Sequence, residues 1–139
     1  MGKIIVTLTI INHADEIRLE DGTITADKVR KIELNDVLVD TGATTLALPR
    51  KYIKQLGLSV EKEVAVNTAA GVQKRFIYRD AKIKLLERQS TFECIELPDD
   101  AQPLLGVIPL EMLGIELDLQ NRKLKFLPYD LLNTYITVF

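Results

Sequence analysis

Short runs of alternating apolar and polar residues, separated by turn residues, fill most of this chain. Lys3 to Ile11 is rich in Ile, Val and Thr and predicts a strand. Asn12 to Lys28 is polar, with Asp21-Gly22 as a turn signal and Thr25 to Lys28 as a helical turn. Val29 to Val39 predicts one long strand or a strand pair, ending in the apolar run Val37-Leu38-Val39. Leu46 to Leu48 predicts a short strand. Pro49 and Gly57 then bracket a helix over Arg50 to Leu56, each at the end that suits it. Glu63 to Asn67 and Val72 to Tyr78 alternate around Thr68-Ala69-Ala70-Gly71, which predicts a hairpin with a small-residue tip. Ala81 to Leu86 and Thr91 to Leu97 predict a further pair, broken off by Pro98-Asp99-Asp100. Leu104-Leu105-Gly106 reads as a brief buried strand, and Pro109 to Leu113 as a helical turn or two closed by Gly114. Ile115 to Leu119 and Leu124 to Leu127 pair across Asn121-Arg122, and Tyr135 to Phe139 alternates as a terminal strand.

Many short strands with two short helices make a mostly β domain, closed or nearly closed into a barrel. No repeat, low-complexity tract or linker divides residues 1–139, so one domain is expected, and 139 residues suit that. Apolar residues make up 47% of the chain, enough for a core. The net charge of -2 gives no electrostatic case for nucleic acid. Cys94 is the single cysteine, so nothing points to an oxidising compartment. Met1 to Ile11 lacks a basic leader, a small-residue cleavage site and the length of a membrane span. The expectation is a cytoplasmic protein with no membrane partner.

The candidate chemistry lies at Asp40-Thr41-Gly42-Ala43, directly after Val37-Leu38-Val39. A strand end fixes the carboxylate, the glycine lets a ligand or another backbone approach, and the threonine hydroxyl can hold the loop. Asp40 could equally be a turn residue that satisfies backbone amides. A second element, Leu104-Leu105-Gly106, comes later in the chain and is followed by a short helical pattern. Other reactive side chains offer little. His13 is the only histidine and reads as a surface or loop residue, and Cys94 in its apolar run reads as packing. Asp99, Asp100 and Asp118 read as solvated charges, and Asp27-Lys28 with Arg30-Lys31 as a mixed surface. No metal site and no cofactor are expected.

Taken together, the Asp-Thr-Gly loop, the later Leu-Leu-Gly and the short helix after it resemble one subunit of a retropepsin-like aspartic protease, over roughly residues 29–128. By overall pattern the chain is similar to small stand-alone bacterial aspartyl-protease-like proteins. The resemblance implies that Asp40 is the catalytic aspartate, that Thr41 locks two such loops across a dimer axis, that Gly42 faces the substrate and that Ala43 is the small residue after it. It makes Thr68, Ala69, Ala70 and Gly71 the flap over a bound peptide. Leu104, Leu105 and Gly106 become the strand beneath the aspartate loop, with Val107 to Leu113 the helix after it. Two close carboxylates that share one proton can activate water and polarise a peptide carbonyl at once. The chain has one Asp-Thr-Gly, so the second carboxylate must come from another copy, with the site on a two-fold axis. The implied activity is that of an aspartic endopeptidase, a homodimer acting on peptide or protein substrates. A non-catalytic binding or assembly module, and a domain that processes only itself or one partner, stay open as alternatives. The segment Asn12 to Lys28 is longer than in viral enzymes, the flap tip carries one glycine, and the tail beyond Pro128 is extra. The apolar strands at Lys3 to Ile11 and Tyr135 to Phe139 are the edges expected to meet a second copy.

Overall fold

The computed structural model describes residues 3–128. The strand expected at Tyr135 to Phe139 lies outside the described residues. Strands β1 (Ile5–Asn12), β2 (Lys31–Val39), β3 (Leu46–Pro49), β4 (Val60–Thr68), β5 (Gly71–Leu85), β6 (Arg88–Leu97) and β7 (Leu104–Leu105) form a 7-stranded sheet in the order β1-β2-β7-β3-β6-β5-β4. β1 also pairs with β5, so the sheet curls round and closes on itself. Strands β8 (Ile115–Asp118) and β9 (Lys123–Phe126) make a separate antiparallel hairpin. Three short α-helices, α1 (His13–Glu20), α2 (Arg50–Leu56) and α3 (Val107–Met112), and a 3-10 turn over Ala26–Lys28, the helical turn expected there, complete the described chain. Among the described residues no helix is long and apolar enough to cross a membrane.

The closed sheet encloses a core of Leu8, Ile10, Val37, Leu46, Leu48, Ile83 and Leu105, all with essentially no exposed surface. These are the alternate residues of their strands, pointing to one side of the pleat. α2 adds Ile53 and Leu56 to the same cluster. It ends on Gly57 at φ +63, a left-handed position that glycine adopts without strain.

The sheet's register shifts at three places, in β4 between Val60 and Lys62 and at two bulges, on β2 and β5, that shape it around the candidate site. On β2 the register with β1 shifts between Val6↔Val37 and Leu8↔Leu34, which puts one extra residue in β2 beside the exposed Asn35 and Asp36. That is why Leu34, Val37 and Val39 are all buried although their spacing is not regular. On β5 the pairing with β6 shifts between Tyr78↔Cys94 and Ala81↔Phe92. Asp80 sits there at φ +65, a conformation aspartate tolerates better than most residues. Before this bulge β5 pairs with β4, and after it the same edge pairs with β1. One strand of 15 residues therefore serves both the closed sheet and the projecting β4–β5 hairpin. The sequence pattern divides it into two strands, at Tyr78 and Ala81, where the bulge lies.

Three expectations need correction. The polar segment after Asn12 contains a helix, α1, and not only turns. Asn12 caps it by accepting the Asp15 N–H at 3.1 Å and donates its amide to Leu56 O at 2.8 Å, which ties α1 to the end of α2. Arg30 is not a loose surface charge. Its Nε and Nη2 reach the two oxygens of buried Asp15 at 2.8 and 3.1 Å. β1 is not an open edge along its length, because Thr9, Ile10 and Ile11 pair with β2 on one side and β5 on the other.

Candidate active site

Asp40 follows the last residue of β2. Its loop, residues 40–45, connects β2 to β3, yet these strands do not pair with each other. β7 lies between them, parallel to β2 (Leu38↔Leu104, Val39↔Leu105) and antiparallel to β3 (Leu46↔Leu105, Ala47↔Leu104). The loop therefore arches over the end of β7.

Backbone hydrogen bonds hold the arch. Asp40 N–H donates to Leu105 O at 3.0 Å, and Ala43 N–H donates back to Asp40 O at 3.0 Å. The first N–H groups of α3, which have no partner inside their own helix, donate to the loop: Val107 to Ala43 O and Ile108 to Thr44 O, each at 2.9 Å. Thr45 Oγ1 donates to Glu93 O on β6 at 2.8 Å. Gly106 is the point of closest approach. A Cβ there would lie 2.5 Å from Thr45 O, 2.6 Å from Ala43 O and 2.7 Å from Thr45 N, so no other residue fits.

The Asp40 carboxylate accepts the Gly42 N–H at 2.8 Å through Oδ1. Thr41 and Gly42 are exposed, while Asp40 and Ala43 are partly so. The loop thus offers its carboxylate at a surface, on a rigid backbone frame.

The β4–β5 hairpin stands over this loop. Its turn is Ala69-Ala70, closed by the pair Thr68↔Gly71, with Thr68 Oγ1 donating to Gly71 O at 2.7 Å and accepting from Ala70 N–H at 3.2 Å. Gly71 takes φ +105. Two largely apolar clefts lie between the hairpin and the closed sheet. One of about 340 Å³ has Val64, Val66 and Ile77 of the hairpin facing Thr44, Phe92 and Ile108. The other, of about 260 Å³, brings Ala43 and Thr44 of the loop together with Val66 and Thr68 of the hairpin and Leu104 of β7.

Among the residues singled out from sequence, Ala43, Thr68 and Leu104 thus share one cleft wall. Leu105 and Gly106 lie under the loop, with Leu105 fully buried, and Ala69, Ala70 and Gly71 stand at the exposed hairpin tip. Cys94 is buried, and burial pushes its thiol pKa up, so it stays a packing residue. Sequence reasoning passed over the cleft-lining Val64, Val66, Ile77, Phe92, Ile95 and Ile108. The alternation Val64-Ala65-Val66 was a signal for the hairpin residues.

A charged group also sits at the base of the hairpin. Glu96 on β6 is 5% exposed. It accepts from Arg50 Nε at 3.3 Å, from Phe76 N–H at 3.4 Å and from the Tyr78 hydroxyl at 3.3 Å. Burial, then the neighbouring Glu96 charge, raises the Tyr78 pKa and keeps its proton available to donate.

The family model described as "gag-polyprotein putative aspartyl protease" matches residues 33–112, which hold the Asp40 loop, the hairpin and the strand beneath the loop. Among solved structures, the chain is similar to EIAV protease, determined in complex with the inhibitor HBY-793. The likeness has a TM-score of 0.54 at 20% identity and covers 84% of this chain and 92% of that one. It gives the fold as retropepsin-like and mostly β. No curated protein matches the chain.

Proposed function

Because the chain belongs to the gag-polyprotein aspartyl protease family, we propose that it is an aspartic endopeptidase working as a homodimer, with Asp40 of each copy supplying one carboxylate. The observation that carries this reading is the frame beneath Asp40. The loop is bonded to Leu105, Val107 and Ile108 and rests on a residue that only glycine can be, while Asp40 itself stays partly exposed. A turn aspartate with a purely structural task needs no such support.

In the paired site the ionised Asp40 takes a proton from water, and the protonated Asp40 donates to the substrate carbonyl oxygen. Two like charges in contact cannot both ionise, so the pair retains the shared proton. Thr41, exposed at the loop tip, bonds across the two-fold axis, and Gly42 meets the substrate backbone. The peptide lies extended in the apolar clefts beside Ala43, with the Thr68-to-Gly71 hairpin folding over it to exclude water.

The test is hydrolysis of a diverse peptide pool from acid to neutral pH, with and without a statine-type inhibitor. Inhibitor-sensitive cleavage is expected. Purified dimer that cleaves nothing across this range would overturn the proposal in favour of a binding module.

A further inference from the structure

The cleft side of the hairpin carries Val64, Val66 and Ile77, and two cations, Lys62, which pairs with Glu93 at 3.7 Å, and Arg75. Arg75 faces Val64 in the β4–β5 register and lines the 260 Å³ cleft beside the aspartate loop. The same Arg75, with Glu96 and Leu97, forms the wall of a neighbouring pocket of about 280 Å³ that also contains Arg50, Pro98 and Asp99. The polar pocket therefore continues the apolar cleft.

The charges of this pocket are unevenly matched. Glu96 is covered by three donors, Arg50, Phe76 N–H and Tyr78. Asp99 lines only the outer pocket and accepts the Lys51 N–H at 2.8 Å. Arg75 donates to two neutral acceptors, Gln73 Oε1 at 2.5 Å and Lys74 O at 3.3 Å. Among the described residues it has no carboxylate within 4.0 Å. A half-buried guanidinium beside an apolar cleft loses hydration, and here no fold contact of opposite charge repays it. Its remaining N–H groups form a planar fork suited to a carboxylate.

We infer that Arg75 makes this pocket a specificity subsite for an acidic side chain of the substrate peptide. The inference rests on the peptidase reading for the identity of its ligand. Arg75 selects the substrate and takes no part in the bond cleavage. Arg50 stays with Glu96, so Arg75 provides the free charge, and the apolar cleft holds the neighbouring residues of the peptide.

The test uses peptides blocked at both ends that carry Glu, Gln or Lys at each position in turn. A further Gln peptide with a free C-terminus separates a side-chain carboxylate from a terminal one. At about pH 6 the substrate Glu is ionised. Wild type should cleave the Glu peptide about tenfold better than the Gln peptide at one position, the size expected of a half-exposed charge-assisted pair. The ratio should collapse towards one in Arg75→Gln and turn in favour of Lys in Arg75→Glu. Lys74→Gln removes an equal charge from the exposed face and should leave the ratio intact. The same peptides are titrated against Asp40→Asn protein, where affinity is read without turnover. Cleavage with no Glu preference, or a preference that survives Arg75→Gln, overturns the inference and leaves the peptidase reading standing. A preference for the free C-terminus alone also overturns it. Arg75-dependent affinity for Glu peptides without hydrolysis by wild type sustains the inference and overturns the peptidase reading. Neither binding nor cleavage overturns both.

Discussion

Asp15 and Asp40 are two carboxylates of this chain in opposite circumstances. Asp15 is 2% exposed and accepts from Arg30 Nε, Nη2 and N–H and from Arg18 Nη1, all between 2.8 and 3.1 Å. The hydrogen bonds from the Arg30 side chain hold its pKa down from 3.8 to about 2, against the opposing effect of burial. Asp40 is partly exposed, and its carboxylate accepts one backbone N–H, from Gly42. Among the described residues no cation lies within 4.0 Å of it. A carboxylate surrounded by cations is fixed in one protonation state and serves the fold. One held by its backbone alone keeps lone pairs for water, substrate or a second carboxylate. The difference teaches where the proposed function should be sought: at a group left unsatisfied on a backbone-bonded loop.

The largest expected effect is on the open carboxylate. Asp40→Asn should lower kcat by at least ~10³-fold, since it removes the acid-base pair. Its melting temperature should hold or rise, because no structural cation loses a partner. Peptide cleavage and thermal unfolding of the same preparation check both halves. Wild-type turnover in this variant would sink the assignment of Asp40.

Next is the frame. Gly106→Ala pushes a methyl group into Thr45 O and Ala43 O, and overpacking of this kind costs about 3 kcal/mol. Denaturant unfolding should show this loss, together with loss of cleavage. A variant that unfolds like wild type would mean that the loop has slack and that the frame is not what orients Asp40.

The saturated carboxylate should behave in the reverse manner. Its folded pKa lies below its ordinary value, so its contribution is complete above about pH 4 and is lost as pH falls towards 2. Wild type should lose about 2 kcal/mol across that window from this group alone. Asp15→Asn should be less stable by a similar amount at neutral pH and should lack this part of the acid dependence. Stability curves for both proteins from pH 7 to 2 are the check, and parallel curves would contradict the role given to Arg30. The smallest effect is expected at Glu63, whose exposed pair with Lys74 spans 3.8 Å. Glu63→Gln should change stability by less than ~0.5 kcal/mol, measured in the same way. A larger loss would show that exposed pairs also hold the hairpin.

Much of this arrangement is legible in the residues themselves. Asp40, Leu104-Leu105-Gly106 and the Thr68-to-Gly71 turn stand out because each combines an apolar run with a glycine at a point where backbone must approach or turn. Pro49 and Gly57 delimit α2 as expected. What was not legible depends on contacts distant in sequence. α1 has no apolar stripe of its own, and Asn12 closes its start by reaching across to Leu56. Arg30 looks like one more surface cation until Asp15 is brought to it. The bulge at Asp80 lets one strand serve two partners, so alternation alone divides it. Glu96 and Arg75 alternate correctly within their strands, but only the meeting of β5, β6 and α2 makes them walls of one pocket.

The central claim is that one site serves two chains. Wild-type protein is mixed with increasing amounts of Asp40→Asn chains under conditions of subunit exchange, and cleavage is measured per total chains. Each mixed dimer carries one Asp40 carboxylate and should be dead, so activity should fall as the square of the wild-type fraction. A linear fall, or full turnover by a species that sedimentation shows to be monomeric, would contradict the shared site.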